Sequence, residues 1–460
     1  MVSLNRRILA FSTCTMAFSS VSAVFHFYYV RVFLNRFHIE EKWFHTAQVL
    51  FLIWNAINDP LFAYIQDNVS LPFTRSRREA ILYSAPLFSM AFLVPWFSWE
   101  GGAVTTGMHL IVSLCFWDTI FTYIGLAECC LFTEISKRAE DRLKLVRFSQ
   151  LGSLIGSSSV LILEHISDSL ESYTLFQVSC ACLALFSWML MTFTGYNAYT
   201  EYDLKNMNDA HGESINCDNE GRQSNEPWFK LLRQLFTKDF CLFIVTNFLQ
   251  EFHRTFLANF IVIICDQLVS SDVVSPHVRR TFYGAVSMAP KTLVVFCAPL
   301  VGRIGYFRAI RYNFIWKILG GMSMFLIGNN HPWCLMIFLI LDSCFCNATF
   351  SLFNMPLSDI ADRDMEKHNR KHPLSSMVFG TQACFVKPTI SLSPMLVVSI
   401  LNHYGYTQLK NGDVLSVDLN QLKHAIFLLV CVYPVCIGAL QLCVWSGFSI
   451  RKETTMTIPN

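Results

Sequence analysis

The chain has 460 residues, 53% of them hydrophobic and 15% charged, with 41 Phe, 10 Trp, a mean hydropathy of +0.40 and a net charge of +2. A soluble domain carries about 25% charged residues, whereas here the charges sit in short clusters between apolar runs of roughly 20 residues, the length that crosses a bilayer core. This excludes a disordered chain, a secreted disulfide scaffold, a nucleic-acid-binding protein and a cytosolic enzyme, and points to a polytopic membrane protein in contact with the lipid bilayer.

The first apolar stretch follows Asn5-Arg6-Arg7 and runs on without a small-x-small cleavage site, so it reads as a signal anchor and first span. Apolar windows then fall at 8–34, 43–66, 79–98, 103–133, 146–165, 173–197, 239–266, 279–301, 308–327, 332–358, 374–401 and 424–449. The predicted fold is an all-α membrane protein with twelve transmembrane helices in two six-helix bundles, 1–197 and 239–460. A cytoplasmic linker, 198–238, joins them, and its polar run from Asn206 to Asn225 has neither helical nor strand periodicity.

Orientation follows from Lys and Arg. With the N-terminus in the cytoplasm, 24 of the 35 basic residues fall inside and 6 outside, so both termini are expected in the cytoplasm. Five more (Arg31, Arg254, Lys291, Lys317 and Lys387) lie within or at the edge of spans. The sequons at Asn68 and Asn347 then fall on the cytoplasmic side and inside the tenth span, and neither is expected to be glycosylated. The 17 Cys lie mostly in apolar runs and read as small core hydrophobes; their spacing suits neither zinc nor redox chemistry, and no metal or cofactor is expected.

Ionisable side chains inside a membrane are expensive and usually functional. In the second span, Trp54-Asn55-Ala56-Ile57-Asn58-Asp59-Pro60 puts Asn55, Asn58 and Asp59 on one helix face. A carboxylate beside two amides suits Na⁺ or, with a raised pKa, a proton; the alternative is a structural hydrogen-bond cluster. In the fourth span Trp117-Asp118 sets an acid among aromatics, continued by Thr122 and Gly125, which suits a polyhydroxylated or cationic solute or else a buried ion pair. In the seventh, Glu251 and Arg254 are spaced to neutralise each other within the helix. Lys387, beside Pro388 in the eleventh span, needs a carboxylate or must lose its proton, with Asp59 and Asp118 as candidates. Lys291 and Asp342 have weaker contexts. Related charged strings close the fourth and tenth spans, containing Glu134, Arg138 and Arg142 in one and Asp359, Asp362, Arg363 and Lys367 in the other; they suit salt-bridge latches of a gate, or a solvated basic loop.

The Trp54 to Pro60 string, Asp118 after an aromatic pair, Asp359-Ile360-x-Asp362 and the Phe379 to Lys387 string resemble the glycoside-pentoside-hexuronide:cation symporters, the melibiose-carrier branch of the major facilitator superfamily. Within that branch the second- and eleventh-helix strings resemble most the animal transmembrane protein 180 group. The resemblance extends over the whole chain and implies the major facilitator fold with overlapping sugar and cation sites. It places the family's cation-binding positions at Asn55 and Asp59, a substrate acid at Asp118, an arginine at Arg147 and a lysine at Lys387. Asn55 stands where the carriers have an acid for Na⁺, the first span lacks their sugar-binding aspartate, and Ala63 replaces a glycine.

The leading expectation is a secondary transporter of a small polar solute, a sugar among the candidates, coupled to H⁺ or Na⁺. Asn55, Asn58 and Asp59 would bind the cation, and Trp117, Asp118, Arg147 and Lys387 would serve the solute. The competing expectation is a transport-silent relative acting as a membrane receptor or scaffold. No His-Glu-x-x-His or Gly-x-Ser-x-Gly motif speaks for an enzyme. The tail after Arg451 carries no sorting or lipidation signal, leaving the plasma membrane as the default location.

Overall fold

The computed structural model describes residues 3–68, 76–167, 170–205, 228–269, 274–405 and 419–450. Most of the expected linker lies outside them. The helices are α1 Leu4–Arg31, α2 Glu41–Asn68, α3 Arg77–Leu93, α4 Ala103–Ile135, α5 Ala139–Ser157, α6 Ser159–Ile166, α7 Tyr173–Asn197, α8 Trp228–Leu235, α9 Lys238–Leu268, α10 Pro276–Ile304, α11 Tyr306–Ile327, α12 Pro332–Leu352, α13 Asn354–Lys367, α14 Ser375–Val386, α15 Thr389–His403 and α16 Leu419–Ser446.

Among the described residues, ten stretches are long and apolar enough to cross a membrane. Two further helices, α2 with 28 residues and α11 with 22, have the length but interrupt their apolar runs, one with Asn55, Asn58, Asp59 and Asp67, the other with Arg308, Arg311 and Lys317. Together these give the twelve membrane helices of the expected fold. The eleventh differs locally from the sequence expectation: it is not one continuous helix but breaks between α14 and α15, at Lys387-Pro388. A proline lacks the N–H that would continue the ladder and its ring clashes with the preceding turn.

The chain forms two compact units, Met1–Leu235 with Ser358–Cys384, and Phe236–Leu357 with Phe385–Asn460. In the first, α1 lies against α5 and α7, α3 against α7 and α4, and α2 against α4. The α1–α5 contact rests on a Gly-x-x-x-Gly pair: a Cβ added to Gly152 would lie 2.5 Å from the Ser12 carbonyl oxygen, and one on Gly156 2.5 Å from that of Met16. With no hydrophobic drive between helices in lipid, such small-residue approaches supply the dispersion contacts that hold a bundle together. In the second unit, α11 and α16 approach in the same way: a Cβ on Gly321 would lie 2.5 Å from the Cys431 carbonyl oxygen and one on Gly438 2.8 Å from that of Phe314. Around α9, α12 and α16 an apolar core gathers Phe256, Phe260, Leu335, Leu339 and Phe427.

Candidate functional site

In the first unit, the i, i+3, i+4 spacing on α2 turns Asn58 and Asp59 fully inward and leaves Asn55 half-buried. On α4 the i, i+4 pair Asp118 and Thr122 shares a buried face. Asn58 bridges the two helices, its amide nitrogen donating to an Asp118 carboxylate oxygen and, at 3.4 Å, to the Thr122 hydroxyl. The Asn58 amide oxygen is buried without a hydrogen-bond partner. Pro60 adds to this oxygen-rich environment, because it has no N–H to offer the Ala56 carbonyl. A buried carboxylate, an unfilled amide oxygen and a second acid one residue along α2 form a group that can take a small cation or a proton.

The neighbouring aromatics form a wall. Trp117 is 2% exposed and stacks on Phe25 at 4.2 Å between ring centroids, with Phe88 at 5.2 Å and Phe121 at 5.4 Å. Trp54 donates its indole N–H to Thr119 at 3.0 Å. Arg147 is exposed on α5. Ala63, where the resembled carriers have glycine, meets a compensating glycine on α14: a Cβ on Gly380 would lie 2.4 Å from the Ala63 Cβ.

Two buried arginines organise the end of this unit that holds the α1 N-terminus, where Arg7 donates to the Ile135 and Tyr199 carbonyls at 3.1 and 3.2 Å. Arg77 binds Asp67 at 2.5 Å, Glu134 at 2.9 Å and the Gln66 carbonyl at 3.1 Å, and Asp67 also accepts the Met377 backbone N–H at 2.7 Å. Arg142 donates to Asp359 and Asp362, both at 2.8 Å, and to the Ser136 and Thr133 carbonyls at 2.9 and 3.0 Å. Its planar fork is thereby filled on all sides, which suits arginine and not lysine. The acids anticipated for a latch are thus held by Arg77 and Arg142, while Arg138 and Arg363 are exposed. Sequence reasoning missed Arg77 and Asp67 because they flank the loop after α2 and read as surface charge.

In the second unit, Glu251 and Arg254 form the anticipated intrahelical pair, bidentate at 2.6 and 2.8 Å, with the guanidinium 4.4 Å from the Phe350 ring centroid. Lys387 is half-buried at the α14–α15 break. Two groups that attracted little notice in the sequence are the most deeply buried. Lys317 on α11 is 1% exposed and donates to the side-chain oxygens of Gln250 at 2.7 Å and Gln441 at 2.9 Å. His253 on α9 sits 3.0 Å from Asp342 on α12, at 0% and 2% side-chain exposure. His253 could have been found from its place in the seventh span, two residues after Glu251.

A family profile described as MFS/sugar transport protein matches residues 9–452. The transmembrane protein 180 of Gallus gallus is 25% identical over 477 residues, covering 96% of this chain and 92% of that protein; its Mus musculus counterpart is 25% identical over 482 residues, covering 95% and 91%. Among solved structures, the proton:xylose symporter XylE bound to 6-bromo-6-deoxy-D-glucose superposes with a TM-score of 0.59 at 12% identity over 98% of this chain and 97% of that one. A bacterial homologue of the iron transporter ferroportin, in its outward-facing state, gives 0.62 at 12% identity over 97% and 99%.

Proposed function

The chain belongs to the MFS/sugar transport family, a multi-pass membrane family of the major facilitator superfamily, and on that premise we propose that it is a proton-coupled secondary transporter of a small polar solute working by alternating access. The observation that carries this reading is the buried Asn58–Asp118–Thr122 bridge with its unfilled amide oxygen, beside Asp59. Structural hydrogen bonding alone would favour a fully satisfied set, because an unpaired buried acceptor is destabilising.

In this reading Asp59 takes up and releases the coupling proton, with Asn55 and Asn58 as neutral neighbours. The absence of an acid at position 55 leaves one carboxylate on that face of α2 where the resembled Na⁺-coupled carriers have two, and one carboxylate is enough to carry a proton. Asp118 contacts the solute's hydroxyls and Trp117 supports that wall from behind; Arg147 and Lys387 complete the solute-binding set implied by the family. The family's sugar description makes sugars the first solutes to test. The Arg142–Asp359–Asp362 and Arg77–Asp67–Glu134 clusters act as the gate, holding one state until solute and proton shift the balance; exposed Arg138 and Arg363 would re-pair with the released acids in the other state. Both termini are cytoplasmic and the protein resides in the plasma membrane.

A second reading, a receptor or scaffold without transport, draws support from Trp117, which is packed into the core on all sides. Uptake of labelled sugars into proteoliposomes, under imposed pH and Na⁺ gradients, separates the two. Uptake driven by a pH gradient supports the transporter; no uptake of any sugar under either gradient, by protein that is folded and correctly inserted, favours the scaffold.

A further inference from the structure

The second unit contains a polar core that the proposed Asp59 mechanism does not use. His253 and Asp342 meet at 3.0 Å with no exposure to solvent. Each of Gln250 and Gln441 donates its amide N–H to a backbone carbonyl, Cys346 at 2.7 Å and Thr246 at 3.0 Å, so their oxygens are fixed toward the Lys317 ammonium. Among the described residues of this unit eight polar side-chain atoms are buried with no hydrogen-bond partner, among them both ring nitrogens of His253, Asp342 Oδ1, Asn247 Oδ1 and both ends of the Asn313 amide, so His253 Nε2 and Asp342 approach as an ion pair without an aligned hydrogen bond. Asn313 lies one turn before Lys317 on α11, and Asn247 six residues before His253 on α9. Orphaned groups of this kind mark places where ordered water enters.

The groups facing His253 are Asp342 and Cys346 from α12, Tyr433 from α16, and Lys317 from α11, close enough to act electrostatically on both His253 and Asp342; the Ser393 hydroxyl of α15 engages Tyr433 and the Phe252 carbonyl instead. On its own helix Glu251 and Arg254 neutralise each other. One carboxylate therefore faces two bases. Isolated charge in an apolar interior is strongly disfavoured, so a neutral core holds one proton between Lys317 and His253, and a second proton makes the core cationic.

We propose that His253 and Asp342 form a proton-binding site in the second unit, with Lys317 as the competing base that sets its occupancy. Binding adds one N–H to the imidazole; the proton comes from water, no other bond is made or broken, and Asp342 is the counter-charge. A metal ion is the wrong ligand, because one imidazole and one carboxylate beside an ammonium offer too few donors and the wrong charge. A role for this proton in coupling rests on the transporter reading; the site itself does not.

The test is histidine-selective ¹⁵N NMR of the full chain in lipid nanodiscs from pH 5 to 9, which needs no solute and therefore reads the site whether or not uptake is ever found. One of the 13 histidines, identified by its absence from His253→Gln, should pass between neutral and protonated forms. If His253→Gln fails to fold, Asp342→Glu identifies the same resonance by its displacement. The midpoint should move by about one pH unit or more, a tenfold change in proton affinity, in opposite directions in Asp342→Asn and Lys317→Gln. A His253 resonance that stays in one protonation state across the range in the wild type and in both variants overturns the proposal, as does a titration that neither substitution moves.

Discussion

Arg142 and Asp359 stand 217 positions apart in the chain and meet at 2.8 Å, with side chains 1% and 5% exposed. The same guanidinium holds Asp362 at 2.8 Å. Two acids on α13 are thus tied to the first turns of α5 by one residue that cannot lose its charge.

Removing the arginine alone strands those acids. Arg142→Met should destabilise the protein by about 3 to 5 kcal/mol, the usual result of breaking a buried pair from one side. Arg142→Met with Asp359→Asn and Asp362→Asn should recover most of that loss. Thermal unfolding in detergent and steady-state abundance both read this; a single mutant as stable as wild type would mean that the cluster contributes nothing.

The coupling reading makes a separate demand on Asp59. Gradient-driven uptake should respond to a pH gradient and be indifferent to replacing Na⁺ by choline, and Asp59→Asn should lose accumulation while keeping solute exchange. Strict Na⁺ dependence would show that one carboxylate with amide and carbonyl oxygens is enough for the ion.

The close helix approaches predict where added volume is not tolerated. Gly152→Leu and Gly321→Leu each press a side chain against a backbone carbonyl, which cannot rotate away, and should destabilise by at least the 1 to 3 kcal/mol typical of overpacking, roughly. Gly284→Leu, where a Cβ meets nothing within 4 Å, is the control and should fold normally. Equal unfolding temperatures for all three would remove the packing argument.

The charge distribution predicts topology. A tag at either terminus, or inserted at Ser214, should bind antibody only after the membrane is permeabilised. Labelling of intact cells at any of the three would reverse the orientation.

How much could be read without coordinates depended on the range of the interaction. The spans, the superfamily and the Glu251–Arg254 pair were legible because each is local: bilayer thickness sets an apolar run length, and an i, i+3 spacing brings two side chains together on any helix. The oxygen-rich face of α2 was legible for the same reason. That Asp118 meets this face was not legible, and Asp118 was paired in the sequence only with Lys387, because helix periodicity says which face a residue occupies and nothing about the helix opposite. Arg142 was one basic residue among five in its loop, Lys317 one of several in the spans, and His253 drew no attention. Their weight comes from burial and from partners tens to hundreds of positions away: Arg142 with Asp359, Lys317 with Gln250 and Gln441, and His253 with Asp342. Sequence alone therefore determined that this chain must satisfy polar groups inside a membrane; tertiary packing decided which ones meet, because in an apolar interior a charge is tolerable only where the fold supplies its counterpart.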